Sequence, residues 1–301
     1  MYRFLTSRVA RPAAVMAVVG LFAFAGCGEL FNSDDDSNSK NWAVVVGIST
    51  YQSSSLNLKW AEEDALDFYD VLRNSKGWES DSITLLTNSS ATRGAIKSAI
   101  GGLAKRVGPN DHIVFYFSGR GSYGPDEPPF DEGDGLDEYL VPYDGLANST
   151  ARDLSDDALE ELFAALPTDT VLIILDAGFT GVGSRSGVPA ERVKFAPRPG
   201  NGKAAAPRNV DGMSHELARP GFTYITAAQD GVSPVESDQL RNGVFTYYLV
   251  EGMRGAANPS RKTVSAQQAF EYASGRTPMQ EPGQTPQLID RRGKKYPLTA
   301  H

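Results

Sequence analysis

The sequence predicts an α/β fold built on a mainly parallel central sheet flanked by helices on both faces. Three observations predict it. First, Trp42–Ile48 (WAVVVGI), His112–Phe117 (HIVFYF) and Val171–Leu175 (VLIIL) are near-continuous apolar runs, as expected of strands buried on both faces. Second, segments of helical periodicity separate these runs. Third, two of the runs lead into small-residue turns, SGRGS at 118–122 and DAGFTG at 176–181. In a parallel sheet such turns share one edge, where α/β proteins build their sites.

Residues 1–26 precede the fold. Arg3, Arg8 and Arg11 form a positive start, followed by an apolar run from Ala13 to Ala25. That run is shorter than the roughly 20 residues needed to span a bilayer and suits a signal peptide. It ends in Phe24-Ala25-Gly26-Cys27. This resembles the bacterial lipoprotein signal, in which small residues precede a cysteine that is lipidated after cleavage; Phe24 stands where Leu is usual. The alternative is an ordinary signal peptide with a chance cysteine. Residues 27–41 then form the lipidated Cys27 and a polar tether (NSDDDSNSK at 32–40). Gly28 replaces the Asp that would argue for inner-membrane retention. The expected location is extracytoplasmic, on the periplasmic side of a membrane, the outer membrane being one option, and held there by the lipid alone.

One domain, 42–295, follows. After the strand at 42–48, Ala61–Arg73 carries Ala61, Ala65, Phe68 and Leu72 at helical spacing. Ser82–Leu86 reads as a short strand, and Ala91–Arg106 as a helix with Ile96, Ile100 and Leu103 on one face. His112–Phe117 completes a βαβαβ order, which implies parallel strands joined by right-handed crossovers. Tyr123–Gly145 reads as a long acidic loop with a short edge strand at Leu140–Pro142. Ser155 caps a helix whose first turn holds Asp156 and Asp157, complementing the helix dipole. Val171–Leu175 is the fourth strand. Residues 182–220 are rich in Gly, Pro and Ala and carry Arg185, Arg192, Lys194, Arg198, Lys203, Arg208 and Arg219; they predict a long, mobile, basic surface loop. A strand at Phe222–Ala227, helices at Val244–Gly252 and Ser265–Ser274, and a last or edge strand at Gln287–Ile289 complete the chain.

Composition excludes several classes. A hydrophobic content of 41% and a charged content of 22% are those of a soluble globular protein. The net charge of −8, which becomes −11 once the three arginines of residues 1–26 are removed, gives no general attraction to nucleic acid or anionic lipid. One cysteine permits no intrachain disulfide. Three histidines, His112, His215 and His301, lack ligand spacing, so no zinc site is expected. Asp131, Glu132, Asp134, Asp137 and Glu138 offer hard oxygen ligands of the calcium type, but their spacing is not that of an EF-hand and acidic loops are commonly just solvated. No cofactor is expected, and calcium on this loop is the one metal the sequence leaves open.

The ordered stretches AVVVGIST, AEEDA, FYFSGRGS, DEYLVPYD, LIILDAGFTG, TAAQ, GVFTYYLVEGMRGAA and TPQL resemble the caspase-like cysteine peptidases, in particular the bacterial metacaspase and orthocaspase branch. The resemblance covers residues 42–290 and implies a caspase-like fold. Family members carry a catalytic His in Ser-Gly-His-Gly and a catalytic Cys in Asp-x-Cys-x-Ser-Gly. Here Arg120 holds the histidine position and Gly178 the cysteine position. The resemblance further implies that the backbone N–H groups of Gly121 and Gly178 form the oxyanion hole, and that Asp64 and Asp176 line a pocket for a basic P1 residue. Without that resemblance, Asp64 reads as a helix-surface charge and Asp176 as a turn-stabilising acid. The segment 182–220 corresponds to the family's processing linker.

Peptide hydrolysis by the family's route needs a thiolate and an imidazole; glycine has no side chain, and arginine stays protonated. Thr180 or Ser118, with His215 swinging in, are the available substitutes. Arg120 lies close enough along the edge either to fold between Asp64 and Asp176 as a built-in counter-ion or to point to solvent. Three functions therefore remain open: a lipid-anchored pseudopeptidase that binds a peptide or protein partner bearing basic residues, an endopeptidase specific for Arg or Lys with unconventional catalytic groups, and a structural envelope lipoprotein.

Overall fold

Strand β1 (Asn41–Gly47) lies inside a six-stranded sheet whose members come from the whole length of the domain. The computed structural model describes residues 39–130, 135–179, 188–198, 213, 217 and 219–301, all in one unit, Asn38–His301. The signal peptide, Cys27, most of the tether, Asp131, Glu132, Asp134, Thr180 and His215 lie outside the described residues. After β1 come helix α1 (Ala61–Arg73), β2 (Ile83–Thr87), α2 (Arg93–Leu103) and β3 (His112–Ser118). Next is a small antiparallel sheet of β4 (Gly121–Pro125), β5 (Leu136–Leu140) and β6 (Leu154–Ser155), then α3 (Asp156–Ala164). The chain returns to the main sheet with β7 (Val171–Asp176) and β8 (Phe222–Thr226). A two-stranded ribbon, β9 (Glu236–Ser237) and β10 (Asn242–Gly243), leads into α4 (Val244–Glu251). Strand β11 (Thr263–Ser265), helices α5 (Ala266–Ser274) and α6 (Thr277–Gln280), and strands β12 (Gln287–Asp290) and β13 (Pro297–Ala300) close the domain.

The main sheet runs β12-β8-β7-β3-β1-β2. All its neighbours are parallel except β12, which pairs antiparallel with β8. Because strand side chains alternate, β1 supplies two cores. Val44 and Val46 pack with Ile96 and Ile100 of α2 and Leu159 and Phe163 of α3. Ala43 and Val45 face the other way, toward Phe68 and Leu72 of α1, Phe245 of α4 and Ala269 of α5. The expected α/β architecture with helices on both faces is therefore the observed one. Caps set the helix starts: Thr92 Oγ1 accepts from the Ala95 N–H at 3.2 Å, and Ser155 Oγ from the Ala158 N–H at 3.3 Å.

Four expectations are corrected. The second helix is shorter than Ala91–Arg106, since the Thr92 cap opens it and Gly101-Gly102 weaken its last turn. The long acidic loop contains an antiparallel pair, with Ser122 opposite Tyr139 and Gly124 opposite Asp137, so the strand there ends at Leu140 rather than beginning at it. Its short, glycine-broken strands carry no clear alternation. Strand β13, read from the sequence as no element, pairs with β11. Finally, the basic loop is not all surface: Val193, Lys194, Phe195, Ala196 and Arg198 are buried, while Pro189, Ala190, Glu191 and Pro197 are exposed. The buried charges are matched by acids distant in sequence, so local composition could not reveal it.

Candidate functional site

Strands β3 and β7 are neighbours in register, with Ser118 opposite Asp176, so the turns that follow them lie side by side. Helix α1 brings Asp64 to the same place from its first turn. Asp64 and Asp176 do converge, and both are fully buried. Between them lies the ammonium of Lys194, 2.6 Å from Asp64 Oδ2 and 2.9 Å from Asp176 Oδ2. It also donates to Ser118 Oγ at 2.8 Å. The acids are held from behind: Asp64 accepts from the Ser118 hydroxyl at 2.7 Å and the Gly243 N–H at 2.8 Å, and Asp176 from the Thr246 hydroxyl at 2.7 Å. At Gly243 a β-carbon would collide with Asp176 Oδ2 and Lys194 Nζ, so the cluster requires glycine there. Burial drives the lysine toward its neutral form, but the attraction of Asp176 and Asp64 outweighs it and holds Lys194 above the ordinary lysine range. Burial raises Asp176; Lys194 opposes the shift and Asp64 reinforces it.

The backbone of the same segment completes the arrangement. The Lys194 carbonyl oxygen accepts from the Gly178 N–H at 2.7 Å and the Gly121 N–H at 3.1 Å. The Lys194 N–H donates to the Pro234 carbonyl at 2.9 Å, and Val193 forms an antiparallel bridge with Val235. Farther back, Arg192 Nε donates to the Glu236 carbonyl at 2.7 Å. A basic side chain thus fills an acidic pocket while the carbonyl beside it lies between two amide donors. Two converging N–H groups on one carbonyl are the arrangement that stabilises an oxyanion in acyl transfer.

No nucleophile stands beside that carbonyl at position 178. A β-carbon built on Gly178 would lie 2.5 Å from Ser233 Oγ and 3.0 Å from its Cα, so Ser233 occupies the room a larger residue would need. Ser118 is fully buried, donating to a carboxylate and accepting from a charged lysine. Lys194 in that state is no base. His112 lies at the start of β3, where Nδ1 is 3.3 Å from Asn41 Oδ1, and Arg120 follows the far end of the strand.

Arg120 takes neither of the two positions expected from the sequence. It is buried, 5% exposed, yet does not enter the acid pair. Nε donates to the Leu56 carbonyl at 3.0 Å and Nη2 to that of Asn57 at 2.8 Å. Nη1 reaches the carbonyls of Phe195 at 2.9 Å, Ala190 at 3.1 Å and Val193. A cleft of about 500 Å³ opens beside it, lined in part by Leu56, Asn57, Val193, Phe195 and Pro197. The counter-ion of the pocket is Lys194, which sequence reasoning placed only among the basic residues of a loop. A signal was available: within a Gly, Pro and Ala-rich stretch, Val193-Lys194-Phe195 sets a cation between two large apolar residues.

For a metal, the described residues offer one group: Asp137, Asp156 and Asp157, each with a carboxylate oxygen within 4.8 Å of the others. Two of the three come from the first turn of α3 rather than from the loop singled out in the sequence. Burial raises Asp137 to about 6 against the bonds it accepts from Tyr139 and Glu127. The donors are hard oxygens of the class calcium takes.

Known proteins bear on the chain at two levels. Metacaspase-1 of Saccharomyces cerevisiae is 32% identical over 108 residues, covering 34% of this chain and 24% of the yeast protein. Metacaspase-3 of Arabidopsis thaliana is 33% identical over 129 residues, covering 41% of this chain and 34% of that protein. The chain thus matches about a quarter to a third of the length of these curated relatives. Among solved structures, a protein from Geobacter sulfurreducens superposes with a TM-score of 0.61 at 22% identity, covering 85% of this chain and 94% of that one. Caspase-1 from Spodoptera frugiperda gives 0.53 at 13%, covering 87% and 90%; at such identities the likeness concerns the fold. The sheet order, the paired turns at its edge and a caspase-domain profile matching residues 40–297 agree, and the chain belongs to the caspase-domain family, with metacaspases among its relatives.

Proposed function

We propose that this protein is a caspase-like domain that retains the recognition half of a peptidase site and lacks the cutting half. It is a pseudopeptidase that binds a basic residue in an extended peptide. The observation that carries this reading is the pose of Lys194, with its ammonium between Asp64 and Asp176 and its carbonyl between the N–H groups of Gly121 and Gly178. Hydrolysis needs an activated nucleophile. Gly178 offers none, Arg120 cannot accept a proton, and Ser118 is locked between two ions. Loss of a nucleophile or base leaves about 10³–10⁴-fold acceleration over water, too little for useful peptide cleavage. A peptide or protein partner bearing Lys or Arg would have to compete with the chain's own Lys194.

On this reading the protein works outside the cytoplasm, held to the membrane by a lipid on Cys27, and neither nucleic acid nor a redox cofactor takes part. Three measurements on the full chain test it. Incubation with Arg- and Lys-containing peptides, with and without calcium, should give no cleavage; turnover that disappears in Ser118→Ala would restore the endopeptidase reading. Lys194→Gly should bind a short lysine peptide that wild type does not. Failure to bind would return Asp64 and Asp176 to a structural role and favour the structural lipoprotein. Mass spectrometry of the mature N-terminus should show acylated Cys27, and an intact residue 1 would remove the anchor.

A further inference from the structure

Among the described residues, two buried cations, Arg120 and Arg198, take no part in the acid pocket. Arg120 holds the position where the resemblance places a catalytic histidine, and its loss of chemistry is only half of the substitution. Its guanidinium hydrogen bonds connect two walls of the cleft. Leu56 and Asn57 belong to the loop between β1 and α1, whereas Ala190, Val193 and Phe195 belong to the segment that fills the site. The backbone is fixed as well, since the Arg120 N–H donates to Tyr51 Oη at 2.7 Å and Tyr51 is itself buried.

We infer that Arg120 is a latch that locks residues 190–196 into the cleft, so that self-occupancy is the resting condition of this protein and a basic partner enters only when the latch is weakened or the Lys194 side chain is taken out of the acid pocket. The inference rests on reading the cleft as a basic-residue site. Its physical basis is the donor geometry of arginine. A guanidinium has five N–H donors in a rigid fork; an imidazole has at most two and cannot serve the five carbonyls that Arg120 reaches. Hydrogen bonds from an ionised donor are stronger than neutral ones. Withdrawing the segment removes three of the carbonyls that solvate a buried charge, and an unsatisfied buried charge is costly. Lys194 makes the segment fit the pocket, and Arg120 opposes its departure. A second anchor lies downstream, where Arg198 pairs with buried Asp153 and donates to the Leu146 carbonyl, but it holds the segment from one wall only.

Hydrogen exchange and peptide binding on the detergent-solubilised full chain test the latch. Four proteins are compared: wild type, Arg120→Met, Arg120→Lys and Lys194→Gly. The probe is acetyl-Arg-Val-Lys-amide, the sequence of residues 192–194. In Arg120→Met the amides of 190–196 should exchange at least tenfold faster, with β1 and β3 unchanged, and the probe should bind where it does not bind wild type. Arg120→Lys keeps the charge without the fork and should fall between, which preserves the test if Met destabilises the whole domain. Exchange of 190–196 within twofold of wild type in both variants overturns the latch, even while Lys194→Gly binds the probe. If Lys194→Gly does not bind the probe, the cleft reading itself falls and the latch with it.

Discussion

At Lys194, a single side chain sets the electrostatics of the site. Two buried carboxylates without a cation are strongly unfavourable, and removing one partner of a buried ion pair costs about 3–5 kcal/mol. Lys194→Ala should lower stability by about that amount in chemical denaturation at pH 7, and butylammonium or agmatine should recover part of it by filling the vacated volume. The folded-state pKa of Lys194 lies above its unfolded value. Its stabilisation is therefore complete below the ordinary lysine pKa and lost only as pH rises beyond it, so it does not vary between pH 5 and 9. Glu236 behaves oppositely in that window. Burial raises it to about 7, against the pull of Lys194 and the N–H groups of Lys59 and Trp60. An acid raised on folding stabilises most below its unfolded pKa, and that contribution disappears as pH rises through 7. Measured against Glu236→Gln, wild type should lose ground between pH 5 and pH 8; parallel stability curves would show that Glu236 is not raised. At Gly178 the constraint is steric. Gly178→Cys should destabilise by about 1–3 kcal/mol, the usual cost of overpacking, and Ser233→Gly should recover most of it. Equal and additive losses would mean that the two positions do not compete for one space.

On the scale of elements, the segment 193–198, which follows a 3-10 turn at Ala190–Arg192, pairs like an added strand rather than a loop. It takes its backbone partners from Gly121, Gly178 and Pro234 and its charge partners from α1, β7 and Asp153. Trypsin needs an extended, accessible basic residue. The native chain should resist cleavage at Lys194-Phe195, whereas exposed basic sites such as Arg261 are cut first, as peptide mass mapping would show. Early cleavage after Lys194 would mean that the segment leaves the cleft readily.

For the whole molecule, the parallel sheet carries a separate core on each face, and α3 anchors one of them. Phe163 packs edge-on to both Phe115 of β3 and Phe222 of β8. Phe163→Ala should cost about 3–5 kcal/mol in a single unfolding transition. Two resolved transitions would show that the two faces melt independently. The cleft depends on this frame, because its donors and acids come from the ends of β3 and β7, the two central strands of the sheet, and from helices on one face.

Much of this was legible in the amino-acid order. Continuous apolar runs in β1, β3 and β7 announced strands buried on both faces, and the small residues after β3 and β7 located the edge where the site lies. Asp64, Asp176, Gly121 and Gly178 could be singled out because short motifs carry them. The occupant of the cleft could not, because its partners are remote. Lys194 is 130 residues from Asp64, and Arg120 reaches carbonyls 63–75 residues away. A backbone carbonyl has the same chemistry at every position, so no sequence pattern marks the five that Arg120 chooses. Local periodicity and turn chemistry are properties of neighbours along the chain and determined the strands, the helices and the edge. Which cation neutralises two buried acids is decided by distance in space, and only the folded chain sets that.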